Sequence, residues 1–232
     1  MLRLDGVEIR QGDFRLSADW QVAPGERVAV IGPSGAGKST LLMAIAGFIV
    51  PDRGDILWQG QSLRQVAPGE RPVSMLFQDQ NLFPHLTVAQ NLGLGLSPAL
   101  RLDAGDRARI DTALDRVGLG GFGGRRPGEL SGGQQGRAAL ARALLRARPI
   151  LLLDEPFAAL GPALKADMLG LVAELSGESG TLVLMVTHDP ADALAFAPRS
   201  VVVADGIASA PAETAELMRN PPPTLAEYLG RS

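Results

Sequence analysis

The chain has 232 residues and a formal net charge of −3, with no block of like charge, which speaks against a chain that lives on nucleic acid. Zero cysteines and two histidines exclude a disulfide framework, a thiolate metal site and a multi-histidine metal site, and fit a reducing compartment. The longest apolar run, residues 41–50, is far too short for a membrane span, and the charge-studded start is unlike a secretory leader, so a soluble cytoplasmic chain is expected.

In chain order, residues 7–9, 14–20 and 55–57 partly alternate polar and apolar side chains and predict an antiparallel subsheet. Residues 27–31 (RVAVI) predict a buried parallel strand that opens into GPSGAGKST and a helix over 38–47. From 81 to 129 the strand signals vanish. Helical patterns cover 87–92 and 104–117, the latter with Ala108, Ile110, Ala113, Leu114 and Val117 on roughly one face, and a further helix runs through 137–146. Residues 150–153 (ILLL) open into DEP before a helix over 160–175, and 181–187 (TLVLMVT) open into HDP before a helix over 190–195. PAETAELMRN predicts a last helix before PPP and a short tail. The expected fold is α/β and doubly wound, with a mainly parallel sheet, an N-terminal antiparallel subsheet and a helical insert. It is read as one domain, with a core over 1–78 and 147–210, a helical subdomain over 79–146 and a tail over 211–232.

Three polar segments fall at the carboxyl ends of predicted strands, where such folds bind ligands. Gly32, Pro33, Ser34, Gly35, Ala36, Gly37, Lys38, Ser39 and Thr40 match G-x-x-x-x-G-K-[ST] between a strand and a helix. The glycines let backbone N–H groups wrap a phosphate, Lys38 supplies a point charge for β- and γ-phosphates, and Ser39 can ligate Mg²⁺. Asp154 can hold the same ion, and Glu155 can polarise an attacking water. Taken alone, two acids after an apolar strand serve equally as a helix cap and a first-turn acid. Beside a phosphate loop the balance moves to catalysis. His188, alone, reads as structural; at the same sheet edge it can donate to a γ-phosphate. His85 has no such neighbours and is read as surface or partner-facing. Ser131, Gly132, Gly133 and Gln134 form a second small-residue turn before a helix.

GPSGAGKST, Gln78, LSGGQ, LLLDEP and His188 occur in the order of the ATP-binding cassette family, which the chain resembles from about residue 1 to 210. The resemblance implies a P-loop ATPase using ATP and Mg²⁺, with Glu155, His188 and Gln78 catalytic and Ser39, Gln78 and Asp154 around the ion. It also implies a head-to-tail homodimer in which Ser131, Gly132, Gly133 and Gln134 of one copy face the nucleotide of the other. Residues 71–98, GELSGGQ and RSVVVADG are similar to ATPase subunits of bacterial thiamine importers. That implies integral membrane permease subunits, a periplasmic thiamine-binding protein, no nucleic acid, and a peripheral place on the cytoplasmic face of the inner membrane. Residues 77–86 would then receive the permease's coupling helix, although Leu82, Phe83 and Leu86 read singly as ordinary core.

Three departures stand out. Gly161 replaces the family's usual aspartate after the catalytic glutamate, which weakens coupling or rate. Gly136 replaces a usual glutamine inside a helix, at a cost of up to ~1 kcal/mol relative to alanine. Residues 9–11 lack the aromatic that the family stacks on adenine, and Phe14 is a loose substitute, so base recognition is expected to be weak or permissive. None touches Lys38, Ser39, Asp154, Glu155 or His188, so hydrolysis is still expected. The rival readings are an importer of another small solute, a cassette acting on DNA or ribosomes, and a module that binds ATP without turning it over. The span from Gln78 to Leu130 leaves no room for the coiled coil that would favour the second.

Overall fold

A computed structural model describes residues 1–77, 81–158 and 160–230. In chain order it forms strands β1 (Leu2–Gln11), β2 (Phe14–Val22) and β3 (Arg27–Ile31), then helix α1 (Lys38–Ala46). Strands β4 (Arg53–Trp58), β5 (Gln61–Ser62) and β6 (Val73–Leu76) precede helices α2 (Val88–Gly93), α3 (Ala104–Arg116) and α4 (Gly132–Leu145). Strand β7 (Ile150–Asp154), helix α5 (Pro162–Ser179), strand β8 (Leu182–Val186) and helix α6 (Pro190–Phe196) follow. The chain closes with β9 (Arg199–Ala204), β10 (Ile207–Ala208), β11 (Ala212–Glu213), α7 (Thr214–Arg219) and α8 (Pro223–Tyr228).

One sheet runs β5-β4-β1-β2-β10-β9-β3-β8-β7-β6, with β11 on β9. Strands β9, β3, β8, β7 and β6 pair in parallel, while β1, β2, β4 and β5 form the antiparallel wing. The apolar strands have two dry faces, which is why they lack alternation in sequence. Val28, Val30, Ile150, Leu152, Leu182 and Leu184 pack with α1 and the wing. Their neighbours Ala29, Ile31, Leu151, Leu153, Val183 and Met185 pack under α4, α5 and α6 on the other side. A third core, around Val88, Leu92, Ile110, Leu114 and Val117, lies among α2, α3 and α4. Helix α4 joins the helical layer to the sheet, because Ala138 and Ala141 face the third core while Ala139, Leu140 and Ala143 face the second.

Several expectations need correction. β6 and β9 are strands where the sequence pattern predicts none. Helix α5 starts at Pro162, whose fixed φ and missing N–H suit a first helical position, and ends only at left-handed Gly180 (φ 62°). Burial of Leu175 and Ser176 carries it past the predicted end. Ala108 is exposed, off the core face of α3. Phe83 is 47% exposed rather than core, held in a loop that the buried Asn91 anchors by exchanging hydrogen bonds with its N–H and carbonyl.

Gly161 sits at the N-cap of α5 with extended backbone, no side-chain cap, and open space where a Cβ would stand. Gly161→Asp is therefore expected to add an N-cap acceptor and reduce unfolded-chain entropy, stabilising the protein by about 1 kcal/mol. Thermal unfolding checks this: a rise of about 2–4 °C is expected for a chain of this size, and an unchanged midpoint contradicts the capping account.

Candidate functional site

The P-loop follows β3 and ends in α1. Gly32 lies so close to β9 that a Cβ would stand 2.0 Å from the Val203 carbonyl oxygen. Gly37 is left-handed (φ 104°), and its Cβ would fall 2.6 Å from Phe14 Cζ. Only glycine meets both conditions at either place. The Phe14 ring thus packs against the loop itself, half-buried beside the cradle. Helices α2, α3 and α4 each start with a capping box, whereas α1 has no side-chain cap and no acid in its first turn. Its N-terminal N–H groups and positive dipole end are left to whatever the loop holds, which suits an anion.

Lys38 is buried and folds back over the loop, its Nζ donating to the carbonyls of Gly32 at 2.9 Å and Pro33 at 2.8 Å. Burial lowers its pKa, opposed by the charges of Glu155 and Asp154. An ammonium held only by neutral carbonyls, with two carboxylates nearby, is poised to turn toward phosphate oxygens. Ser39 Oγ donates to Asp154 Oδ1 at 3.0 Å, joining the start of α1 to the end of β7. Burial also raises the Asp154 pKa, with the Ser39 hydrogen bond opposing. A hydroxyl and a partly desolvated carboxylate side by side are the hard oxygen donors that Mg²⁺ selects.

Asp154→Asn is expected to act in opposite directions on fold and function. The amide oxygen still accepts from Ser39, and no charge is desolvated, so the free chain should unfold at a higher temperature. Mg²⁺-dependent ATP hydrolysis should be lost. A variant that hydrolyses ATP normally in Mg²⁺ removes Asp154 from the ion site.

At the ends of the neighbouring strands, His188 Nδ1 stands 3.3 Å from Glu155 Oε2. Glu155 itself is left-handed (φ 46°), a costly conformation for a non-glycine residue of the kind that persists where geometry matters. Its N–H donates to the Val186 carbonyl at 3.2 Å, tying it to β8. His188 is exposed at its ring, but its backbone is held from two sides. Asp189 caps α6 by accepting from the Ala191 N–H, and pairs with Lys165 of α5 at 2.7 Å. That hydrogen bond lowers the Asp189 pKa and raises that of Lys165. On the other side Tyr228 of α8 donates its hydroxyl to the His188 carbonyl at 2.5 Å. Sequence reading missed both supports, since Lys165 and Tyr228 belong to no motif and reach His188 only through packing.

The structure thus brings together Lys38, Ser39, Asp154, Glu155 and His188 from three strand ends. Gln78 lies outside the described residues. Ser131 and Gln134 form the capping box of α4, Ser131 Oγ accepting from the Gln134 N–H at 3.3 Å and Gln134 Oε1 from the Ser131 N–H at 2.9 Å. Gly133 packs on α5, where a Cβ would stand 2.2 Å from Leu164 Cδ2. Among the described residues, no hydrogen bond links residues 131–134 to the P-loop of the same chain. Gly136 is buried within α4.

The sequence profile of the ABC transporter family matches residues 17–158. A thiamine import ATP-binding protein ThiQ from Cereibacter sphaeroides is 71% identical over 230 residues, covering 99% of this chain and all of that protein. Another of the same name from Ruegeria is 57% identical over the same span. Among solved structures, a dimeric ATP-binding cassette in a post-hydrolysis state with ADP and Pi superposes with a TM-score of 0.79 at 31% identity, covering 92% of this chain and 99% of that one. A matched P-loop, acid pair and signature turn, each in the predicted structural context, agree with that profile, and the chain belongs to the ABC transporter family.

Proposed function

We propose that the chain is the ATP-hydrolysing subunit of an importer for thiamine. The observation that carries the catalytic half is the meeting of the uncapped α1 N-terminus and Lys38 with the Ser39–Asp154 and Glu155–His188 pairs at one sheet edge. The loop N–H groups and Lys38 bind and orient the β- and γ-phosphates of ATP. Ser39 and Asp154, with Gln78, would hold Mg²⁺, which when bound neutralises phosphate charge. Glu155 accepts the proton of the attacking water, and His188 donates a hydrogen bond to the γ-phosphate. The water oxygen bonds to the γ-phosphorus as the bond to the β–γ bridging oxygen breaks, giving ADP and inorganic phosphate.

The similarity to a dimeric ATP-binding cassette supports a head-to-tail homodimer in which the turn at residues 131–134 faces the partner's nucleotide. ATP then binds across both halves and closes them, and hydrolysis releases them. No helix among the described residues is long and apolar enough to cross a membrane. On the similarity to importer ATPases, energy passes to separate integral permease subunits. The exposed ring of Phe48, 55% accessible and packed on Phe77, and the exposed ring of Phe83 offer apolar surface that a permease helix would cover. In this reading the subunit sits peripherally on the cytoplasmic face of the inner membrane, and a periplasmic thiamine-binding protein delivers substrate to the permease.

The substrate half rests on the near full-length similarity to proteins named for thiamine import. Uptake of labelled thiamine in cells lacking this chain and any redundant importer tests it. Rescue by the native chain but not by Glu155→Gln supports both substrate and mechanism. Normal uptake without the chain removes thiamine and leaves the ATPase reading to be tested by hydrolysis alone.

A further inference from the structure

Away from the P-loop, a cavity of about 610 Å³ opens between α3, the C-terminal end of α4 and the core formed by β6, β7 and the end of α5. Helix α3 packs on α2 and α4. That volume lies within the range of ordinary small-molecule sites. The walls are largely alanine and leucine, but three arginines line them, Arg109, Arg116 and Arg148, and no aspartate or glutamate does. Arg109 leans to Asp106 and Arg116 pairs with Glu178. Arg148 makes no hydrogen bond or ion pair among the described residues, and its charge repels that of Arg146.

A second, independent feature lies in the lining. Ser74 of β6 is 2% exposed, and its Oγ is a buried side-chain polar atom without a hydrogen-bond partner among the described residues. Such orphans are rare in folded proteins and call for an explanation. Apolar walls, an unmatched guanidinium and an orphan hydroxyl describe one kind of occupant.

We infer that this cavity binds a small organic anion, with a carboxylate, sulfonate or phosphate group toward Arg148 and a compact apolar body against the alanine and leucine walls. The ligand bridges the helical layer to the sheet. It touches α4, whose other end carries residues 131–134, and β7, which ends in Asp154.

The test uses 8-anilinonaphthalene-1-sulfonate, an aromatic sulfonate that fluoresces when desolvated, titrated onto the purified full chain. Saturable one-to-one binding is expected. Arg148→Ala and Thr112→Trp, which fills the cavity from the exposed face of α3, should each weaken it at least tenfold with unchanged thermal unfolding. Saturating Mg²⁺-ATP should not displace the probe, and uncharged N-phenyl-1-naphthylamine should bind at least tenfold more weakly. Binding that survives either substitution, is displaced by ATP, or is equally strong for the uncharged probe overturns the assignment. Because only probe binding is read, that result leaves the ATPase reading untouched.

Discussion

Glu155→Gln is expected to slow ATP hydrolysis by the assembled complex by about 10²- to 10⁴-fold, the usual contribution of a positioned general base. The amide keeps the shape of the side chain and its place 3.3 Å from His188 Nδ1, but it accepts no proton. ATP affinity should stay within about threefold, because the lost interaction belongs to the reacting water and not to the bound nucleotide. Single-turnover hydrolysis alongside equilibrium ATP binding separates these quantities. Hydrolysis at the native rate removes Glu155 as the base and favours a module in which the acid pair is only structural.

Lys38→Ala has the second large expected effect, on binding. In the free protein Nζ is satisfied by the Gly32 and Pro33 carbonyls, both neutral acceptors. Exchanging them for phosphate oxygens replaces neutral contacts with charge-assisted ones worth about 1.5–3 kcal/mol each. Loss of two such contacts should weaken ATP binding by at least about 100-fold. Titration with a fluorescent ATP analogue checks this, with circular dichroism showing that the variant is folded. Unchanged affinity contradicts the phosphate role of Lys38.

Glu155→Gln and Lys38→Ala are independent in outcome. A native protein that hydrolyses no ATP above background, yet loses ATP binding on Lys38→Ala, binds ATP without turning it over, which is the third rival reading. Gly161 itself stands at an open N-cap, so its visible consequence within one chain is local to α5.

Much of the site was legible because its residues are consecutive and chemically unusual. GPSGAGKST, DE and the histidine after TLVLMVT each end an apolar run, and in a parallel sheet such ends converge. The strands β3, β7 and β8 were readable for the same reason: both faces are dry, so the run is continuously apolar. β6 and β9 were not, because a short apolar run does not reveal by itself whether it is strand or buried helix. Only pairing with β7 and β3 decides it.

By itself the sequence determined the phosphate-binding pattern of the P-loop and the α/β class, since both rest on local spacing, and it carried the ordered motifs through which the chain resembles its family. The tertiary structure alone decided that Ser39 meets Asp154, that Phe14 packs on Gly37, and that Tyr228 and Lys165 hold the segment bearing His188. It alone revealed the arginine-lined cavity beneath α3. Those contacts join residues tens to more than a hundred positions apart, and their geometry is set by how helices and sheet pack, which no local pattern encodes.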